Sequence, residues 1–296
     1  MKIKIKEFEK LMQDKTEIAI IGGTGSKISL EGPKEVKVYT PFGNTSSRII
    51  IGKFKGKSIA YISRHGIGHV IPPHKINYRA NLWALKELGV KYVISASAVG
   101  SLKKEHQKKK FIMIDQYIDR TKKRIDTFYE GGELCHIGQA EPYCAYLNNL
   151  FHISGKQIDN MVIQNGGTYV CIEGPRFSTR SESKIYRQWG GDIIGMTAYP
   201  EVVLAAEKEL CYCCIAMVTD LDVWAAKCPN CGIVEIVDIC PNCGAKIENI
   251  DVNVDEVLQT QIENVSNLKT LLEKTIPKID IERDCSCRHQ LEGSIL

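Results

Sequence analysis

The 296-residue sequence predicts an α/β fold, a sheet with helices on both faces, on three observations. From Tyr92 onwards short apolar runs alternate with amphipathic stretches, the pattern of layered strands and helices. A hydrophobic content of 44% with 24 glycines and 10 prolines supports a packed core punctuated by turns and excludes a disordered chain. Motifs rich in Gly, Ser, Arg and Asp stand at the carboxyl ends of the predicted strands, where open α/β sheets collect ligands.

Taken in order, Ile18–Gly23 is a short apolar run closed by glycines and reads as a buried strand. Val36–Thr40 and Arg48–Phe54 read as strands separated by the turn residues Pro41–Gly43, and Ser58–Ser63 follows the Gly56 turn. Asn77–Leu88 carries Leu82, Leu85 and Leu88 at helical spacing and stops at Gly89. Tyr92–Ala98 and Phe111–Ile118 read as strands, and Pro142–Phe151 as a helix. Then come a strand at Thr168–Ile172, a helix at Arg180–Trp189 and a strand at Asp192–Met196. A helix at Glu201–Leu210 and a strand at Tyr212–Thr219 follow. Val254–Lys274 is a long helix with Leu258, Ile262, Val265, Leu268, Leu271 and Leu272 on one expected inner face.

A net charge of +4 with 25% charged residues is too weak to imply a nucleic-acid partner. The longest apolar runs, Ile18–Ile21 and Val202–Ala206, fall far short of the ~18–20 residues that span a bilayer. The amino-terminal stretch is charged throughout and has no signal-peptide core. The expectation is a cytoplasmic protein with no membrane partner. Twelve cysteines fall below the ~8–10% of a disulfide scaffold; with abundant Lys, Ile and Glu they fit a thermophile.

Gly22-Gly-Thr-Gly25 fits either a plain turn or an anion-binding loop in which glycines admit backbone N–H groups and Thr24 adds a hydroxyl. Arg64-His65, directly after a strand, reads as a solvated pair or as a guanidinium grip on phosphate. Ser97-Ala98 offers a close backbone and a hydroxyl. Three anion-friendly stretches at strand ends together point to a phosphate site. Asp220 and Asp222 follow an apolar strand. Two carboxylates in one pocket repel, so one takes up a proton and can donate to a ring nitrogen; the alternative is an Asx-turn or helix cap. Phe177 reads as a stacking ring or a core aromatic.

Residues 227–249 hold two identical pentapeptides, Cys228-Pro-Asn-Cys231-Gly and Cys240-Pro-Asn-Cys243-Gly. Twin C-x₂-C units read as a closed Cys₄ metal site with a structural role; an unmetallated or disulfide-bonded state is the alternative. Zinc is favoured over iron, because the aromatic shell of a rubredoxin is missing. Ile233, Val234, Ile236, Val237 and Ile239 are nearly all the apolar content of this segment.

Together these motifs resemble the purine nucleoside phosphorylase family, in its methylthioadenosine-cleaving branch. The resemblance is carried by IIGGTG (20–25), YTPFG (39–43), SRHG (63–66), SAVGSL (97–102), IEGPRFSTRSES (172–183), DIIGMTAYPEVVLAAE (192–207) and IAMVTDLDVW (215–224). It covers about residues 16–224 and 252–276. It implies one α/β domain around a distorted mixed sheet, assembled as a trimer or hexamer, that cleaves methylthioadenosine with phosphate as co-substrate and no catalytic cofactor. By position, Thr24, Arg64, His65, Ser97, Ala98 and Thr197 would hold phosphate, and Met196 the ribose. Phe177, Ser178, Asp220 and Asp222 would hold the purine, with Asp220 helping it leave. His136 matches a histidine that reaches a neighbouring subunit's site, and Val254 and Val257 match residues of the methylthio pocket. Cys285 and Cys287 resemble a C-x-C redox pair of archaeal members, against a disordered tail; Cys144 and Cys211 match a disulfide of thermophilic relatives.

The expected organisation is a phosphorylase domain over 1–226 and 250–280, a zinc-ribbon-like insert over 227–249 and a tail over 281–296. A phosphorylase for 6-oxopurine nucleosides or methylthioinosine is the alternative, disfavoured because such enzymes tend to carry Asn in place of one of these Asp residues. A nucleic-acid-binding scaffold is disfavoured by the insert's balanced charge, with Lys227 and Lys246 against Glu235, Asp238 and Glu248.

Overall fold

In the computed structural model, which describes residues 16–23, 28–235, 237 and 239–296, one eleven-stranded mixed sheet carries the fold. Its strands are β1 (Ile18–Gly22), β2 (Glu31–Val36), β3 (Ile49–Phe54), β4 (Lys57–Ser63), β5 (Tyr92–Ser101), β6 (Phe111–Met113), β7 (Gln116–Arg120), β8 (Ile163–Asn165), β9 (Thr168–Ile172), β10 (Ile193–Gly195) and β11 (Cys211–Asp220). Among the described residues, five α-helices flank it: α1 (Tyr78–Glu87), α2 (Ala145–Lys156), α3 (Arg180–Gln188), α4 (Ala198–Glu207) and α5 (Val254–Thr275). Strand alternation divides the core in two. Ala19 and Ile21 face a cluster with α1 and α4, including Leu82, Leu85 and Val202. Ile18 and Ile20 face a second cluster with α2 and α5, including Leu147, Phe151, Leu268 and Leu271.

The sheet forks at β5. Tyr92–Ser95 pairs in parallel with β1 on one edge, and Tyr92–Gly100 with β11 on the other. Past Ser95 the first edge is released, and only Gly100 and Ser101 regain a partner there, antiparallel β10. Within the opened stretch, Ser97–Val99 becomes one wall of a cavity. A β-bulge lies where β11 meets the fork: Val218 pairs with Val99 and Asp220 with Gly100, leaving Thr219 as an extra residue.

Local signals account for the helix ends. Asn77 caps α1 by accepting the Ala80 N–H. Thr179 and Glu182 form a capping box at α3. Asn253 accepts the Asp255 N–H at the start of α5.

Three expectations are corrected. The run Phe111–Ile118 is two strands, because the chain changes partners at Asp115: β6 lies between β11 and β8, and β7 beside β9. The strand expected at Val36–Thr40 lies earlier, at Glu31–Val36. In α5 the carboxyl half buries Leu268, Leu271 and Leu272, but in the amino half Thr260, Gln261 and Asn264 are buried while Leu258 and Ile262 are exposed. The polar face turns inward where Asn264 Nδ2 donates to the Val218 carbonyl, beside the bulge.

The twin-pentapeptide segment folds apart from the main sheet. It forms a three-stranded sheet of β12 (Ala226–Lys227), β13 (Val234–Glu235) and β14 (Glu248–Asn249), in the order β13–β12–β14. Its core is Ala226, Cys228, Cys240 and Ile247, whereas Val237 and Ile239 are exposed. Ile233 packs against this small core, and Val234 against the cluster around Trp224. Trp224, buried at the root, donates from Nε1 to the Ser101 carbonyl and anchors the segment to the fork.

Candidate active site

A cavity of about 420 Å³ opens at the fork, and its two ends differ in chemistry. At one end stand Arg64, His65, Ser97, Ala98 and Thr197; at the other, Asp220 and Asp222; Met196, Ile172 and Ile194 lie in the wall. Phe177, Ser178 and Val257 complete the set of expected residues that line it. Thr24 lies outside the described residues. Val254, at the first position of α5, is 55% exposed and outside the lining, and His136 is exposed on a distant loop of the same chain.

Arg64 is fully buried, and its fork is held from behind. Nε and Nη2 donate to the two oxygens of Glu201, Nη1 to the Ala96 carbonyl at 2.9 Å, and Nη2 to Ser95 Oγ at 2.5 Å. Ser95 Oγ and the Tyr212 hydroxyl also donate to Glu201, at 3.0 and 2.9 Å. A buried cation with this many partners is fixed in place before any ligand arrives.

His65 is neutral: burial, and then the Arg64 charge, lower it to about 4. Its Nδ1 lies 2.8 Å from the Ile71 carbonyl, which requires the proton on Nδ1 and leaves Nε2 as an acceptor. Ser97 Oγ lies 3.1 Å from the Tyr169 hydroxyl and 3.3 Å from Thr197 Oγ1, and the Thr197 N–H donates to Tyr169 at 3.3 Å. Tyr169 thus ties together two chain segments of the anion-friendly end. A β-carbon on Gly195 would lie 2.0 Å from that hydroxyl, so only glycine fits there.

At the other end the two carboxylates differ. Asp222 accepts Ser178 Oγ at 2.9 and 3.0 Å and Ser183 Oγ at 2.5 Å, so its charge is well supported. Ser178 spends its hydroxyl here rather than facing the cavity with a free donor. Among the described residues Asp220 accepts Thr219 Oγ1 alone, at 2.7 Å. Burial, with a contribution from the Asp222 charge, pushes Asp220 up to about 6. Burial raises Asp222 as well, but the Ser183 and Ser178 hydroxyls oppose the rise, and carboxylates with such unequal support can take different roles. A β-carbon on Gly100 would lie 3.1 Å from Asp220 Oδ2, so glycine keeps this approach open.

Residues that sequence reasoning missed are Glu201, Tyr169, Ser183 and His69. His69 lines the cavity with its ring 4.1 Å from that of His65. Glu201 did carry a signal: it lies in Ala198–Glu207, a helix buried on every side, where an acid needs a partner.

The four insert sulfurs lie within 4.8 Å of one another, with Cys228–Cys243 and Cys231–Cys240 at 3.5 and 3.4 Å. Both pentapeptides make the same turn, the Gly232 N–H donating to the Cys228 carbonyl and the Gly244 N–H to that of Cys240. The Cys231 N–H, first among its neighbours, lowers the Cys228 thiol to about 6. Four converging sulfurs with backbone donors fit a tetrahedral thiophilic ion. Cys144 and Cys211, matched to a disulfide, are free thiols here.

Residues 17–276 match the family model described as the phosphorylase superfamily. The S-methyl-5′-thioadenosine phosphorylase of Thermofilum pendens is 46% identical over 285 residues, 96% of this chain and 100% of that relative. The enzyme of the same name from Saccharolobus solfataricus is 45% identical, covering 96% and 98%. Among solved structures, a methylthioadenosine phosphorylase from an antarctic soil metagenomic library superposes with a TM-score of 0.82 at 36% identity, covering 96% of this chain and 93% of that one. An adenosine/methylthioadenosine phosphorylase mutant from Schistosoma mansoni, in complex with methylthioadenosine, has a TM-score of 0.79 at 32% identity, covering 95% and 99%.

Proposed function

The chain belongs to the phosphorylase superfamily and, within it, to the S-methyl-5′-thioadenosine phosphorylases, and from that premise we propose how its cavity works. The reaction is phosphorolysis of methylthioadenosine to adenine and 5-methylthioribose 1-phosphate, a pentosyl transfer. One observation carries the reading of the site: a single cavity has a cationic, hydroxyl-lined end and a paired-carboxylate end, with Met196 in the wall.

Phosphate sits at the first end. Arg64 supplies the charge; Ser97 and Thr197 supply hydroxyls; Ala98 supplies backbone; Thr24 completes the set. Neutral His65 accepts from a protonated phosphate oxygen through Nε2. Cleavage at the anomeric carbon passes through an oxocarbenium-like state, and a phosphate fixed below the ring stabilises that cation and then captures it. At the far end the base lies near Phe177. Asp220, carrying a proton, donates to the purine ring nitrogen as the bond breaks, and Asp222, braced by Ser178 and Ser183, stays ionised. Val257 borders the methylthio group with Val254 at the rim.

His136 belongs to a neighbouring subunit's pocket in this reading, which makes the enzyme a homo-oligomer, trimer or hexamer. Exposed Ile67 and Val70, the latter in the cavity lining, support a subunit contact at the cavity mouth. Cys228, Cys231, Cys240 and Cys243 hold a structural zinc ion; a closed tetrathiolate has no open position and supplies folding rather than chemistry. We divide the chain accordingly into the phosphorylase body (1–226 and 250–280), the zinc-ribbon insert (227–249) and the tail (281–296). Among the described residues no helix is long and apolar enough to cross a membrane. A nucleoside-salvage role supports our assignment of the enzyme to the cytoplasm.

The test is a product assay with and without phosphate. Adenine release should require phosphate and yield 5-methylthioribose 1-phosphate; equal release of free methylthioribose without phosphate would overturn the reading.

A further inference from the structure

Away from the active site and the insert, four more sulfurs converge. Cys144 is the N-cap of α2, Cys211 opens β11, and Cys285 and Cys287 flank Ser286 at the 3-10 turn Ser286–His289. All four are buried, and their sulfurs lie within 4.8 Å of one another, Cys144 and Cys285 at 3.8 Å. They come from three segments of the chain that no short sequence motif joins.

We propose that Cys144, Cys211, Cys285 and Cys287 form a second tetrathiolate metal site, which takes a divalent thiophilic ion, zinc in the first instance, and locks the carboxyl-terminal tail to the sheet. A tetrahedral ion with metal–sulfur bonds of ~2.3 Å places its ligands ~3.8 Å apart, the separation of Cys144 and Cys285. A pairing into two disulfides would bring each bonded pair to ~2.05 Å and requires an oxidant. The surroundings suit thiolates. Cys144 stands at the N-terminus of α2, where the helix dipole favours negative charge. Two thiolates beyond the ion's charge need cations nearby. Lys86 lies within electrostatic reach of Cys211, and Arg288, adjacent to Cys287, has a buried Nε with no acceptor. Binding releases the protons of four thiols and changes no oxidation state.

The site has a structural consequence down the chain. Beyond Cys287 the tail pairs with the loop that carries His136: Cys135 bridges Ile295, the His136 N–H donates to the Ser294 carbonyl, and the Leu296 N–H to that of Leu134. The ion therefore holds one end of a strap whose other end fixes residues 134–136.

The test is elemental analysis of the full chain, purified without oxygen and with a thiol reductant. Wild type should carry two zinc ions per chain, Cys231→Ser one, Cys285→Ser one, and the double variant none. Cobalt reconstitution of wild type should give thiolate charge-transfer bands for two tetrahedral centres, which decides the matter if Cys285→Ser does not fold. A wild type with one ion, kept in Cys231→Ser and lost in Cys285→Ser, would support this site and refute the insert's zinc. A single ion lost in Cys231→Ser, with the four core cysteines metal-free, would overturn the proposal. Amide exchange should rise at residues 134–136 in Cys285→Ser; unchanged protection would refute the strap.

Discussion

Replacing Asp220 with asparagine should stabilise the protein while disabling it. Burial raises the Asp220 carboxyl from 3.8 to about 6. The folded state thus holds the proton more tightly than the unfolded chain does. Below pH 3.8 the carboxyl is neutral in both states and favours neither. As pH rises to about 6 the unfolded chain ionises first, and folding loses stability through that window. Above it the loss is constant. At 1.36 kcal/mol for each pKa unit, it amounts to about 3 kcal/mol. Asparagine is neutral throughout, and its side-chain oxygen can still accept Thr219 Oγ1. The variant should therefore match wild type near pH 4 and gain progressively, up to about 3 kcal/mol by pH 7. The assay is ligand-free unfolding of both proteins at a series of pH values. Turnover with methylthioadenosine should fall by ~10²–10⁴-fold, the usual worth of general acid–base help, while the affinity for phosphate should change little. A stability difference that stays flat from pH 4 to 7 would refute the reasoning, as would unchanged turnover.

Glu201→Gln should raise the KM for phosphate at least tenfold and destabilise the fold by ~3–5 kcal/mol, because it strips the counter-charge from buried Arg64; steady-state kinetics and denaturation that match wild type would remove Glu201 from its positioning role. In Gly195→Ala the added methyl displaces the Tyr169 hydroxyl, so phosphate binding should weaken; a calorimetric titration with phosphate that matches wild type would contradict this. Cys231→Ser should lower the zinc content and raise the KM for methylthioadenosine with little effect on phosphate. Elemental analysis with paired kinetics checks both halves, and iron with a red colour would mean a rubredoxin-like centre instead.

The legible part of the site was the part written at strand ends. Arg64-His65, Ser97-Ala98 and Asp220-Leu-Asp222 each follow an apolar run, and the fold brings all three to one cavity. The same reasoning failed where a residue's role depends on a distant partner. Glu201 is 137 positions from Arg64, and a glutamate in a helix reads locally as a solvated charge. Along α5 hydrophobic periodicity pointed to Leu258 and Ile262 as core, yet Asn264 is buried, its Nδ2 adding a second donor to the Val218 carbonyl that already accepts the Lys109 N–H. Cys144 and Cys285, 141 positions apart, carried no joint signal except through family resemblance. Asp220 closes β11, whereas Asp222 reaches the cavity from the following turn, a placement that the apolar strand before them does not specify.

The extra residue at Thr219 gives this part of the gene an unusual tolerance profile. Thr219 is the residue outside the pairing, so deleting it would close the bulge and leave Asp220 opposite Gly100, while removing the hydroxyl that Asp220 accepts. A change to serine keeps that hydroxyl; a three-base deletion removes the hydroxyl and the bulge together. Only a few codons downstream, the twin-pentapeptide segment occupies a surface connection, where length is free to vary. Insertions and deletions in diverging copies of this gene should therefore accumulate after Trp224 and stop abruptly before it.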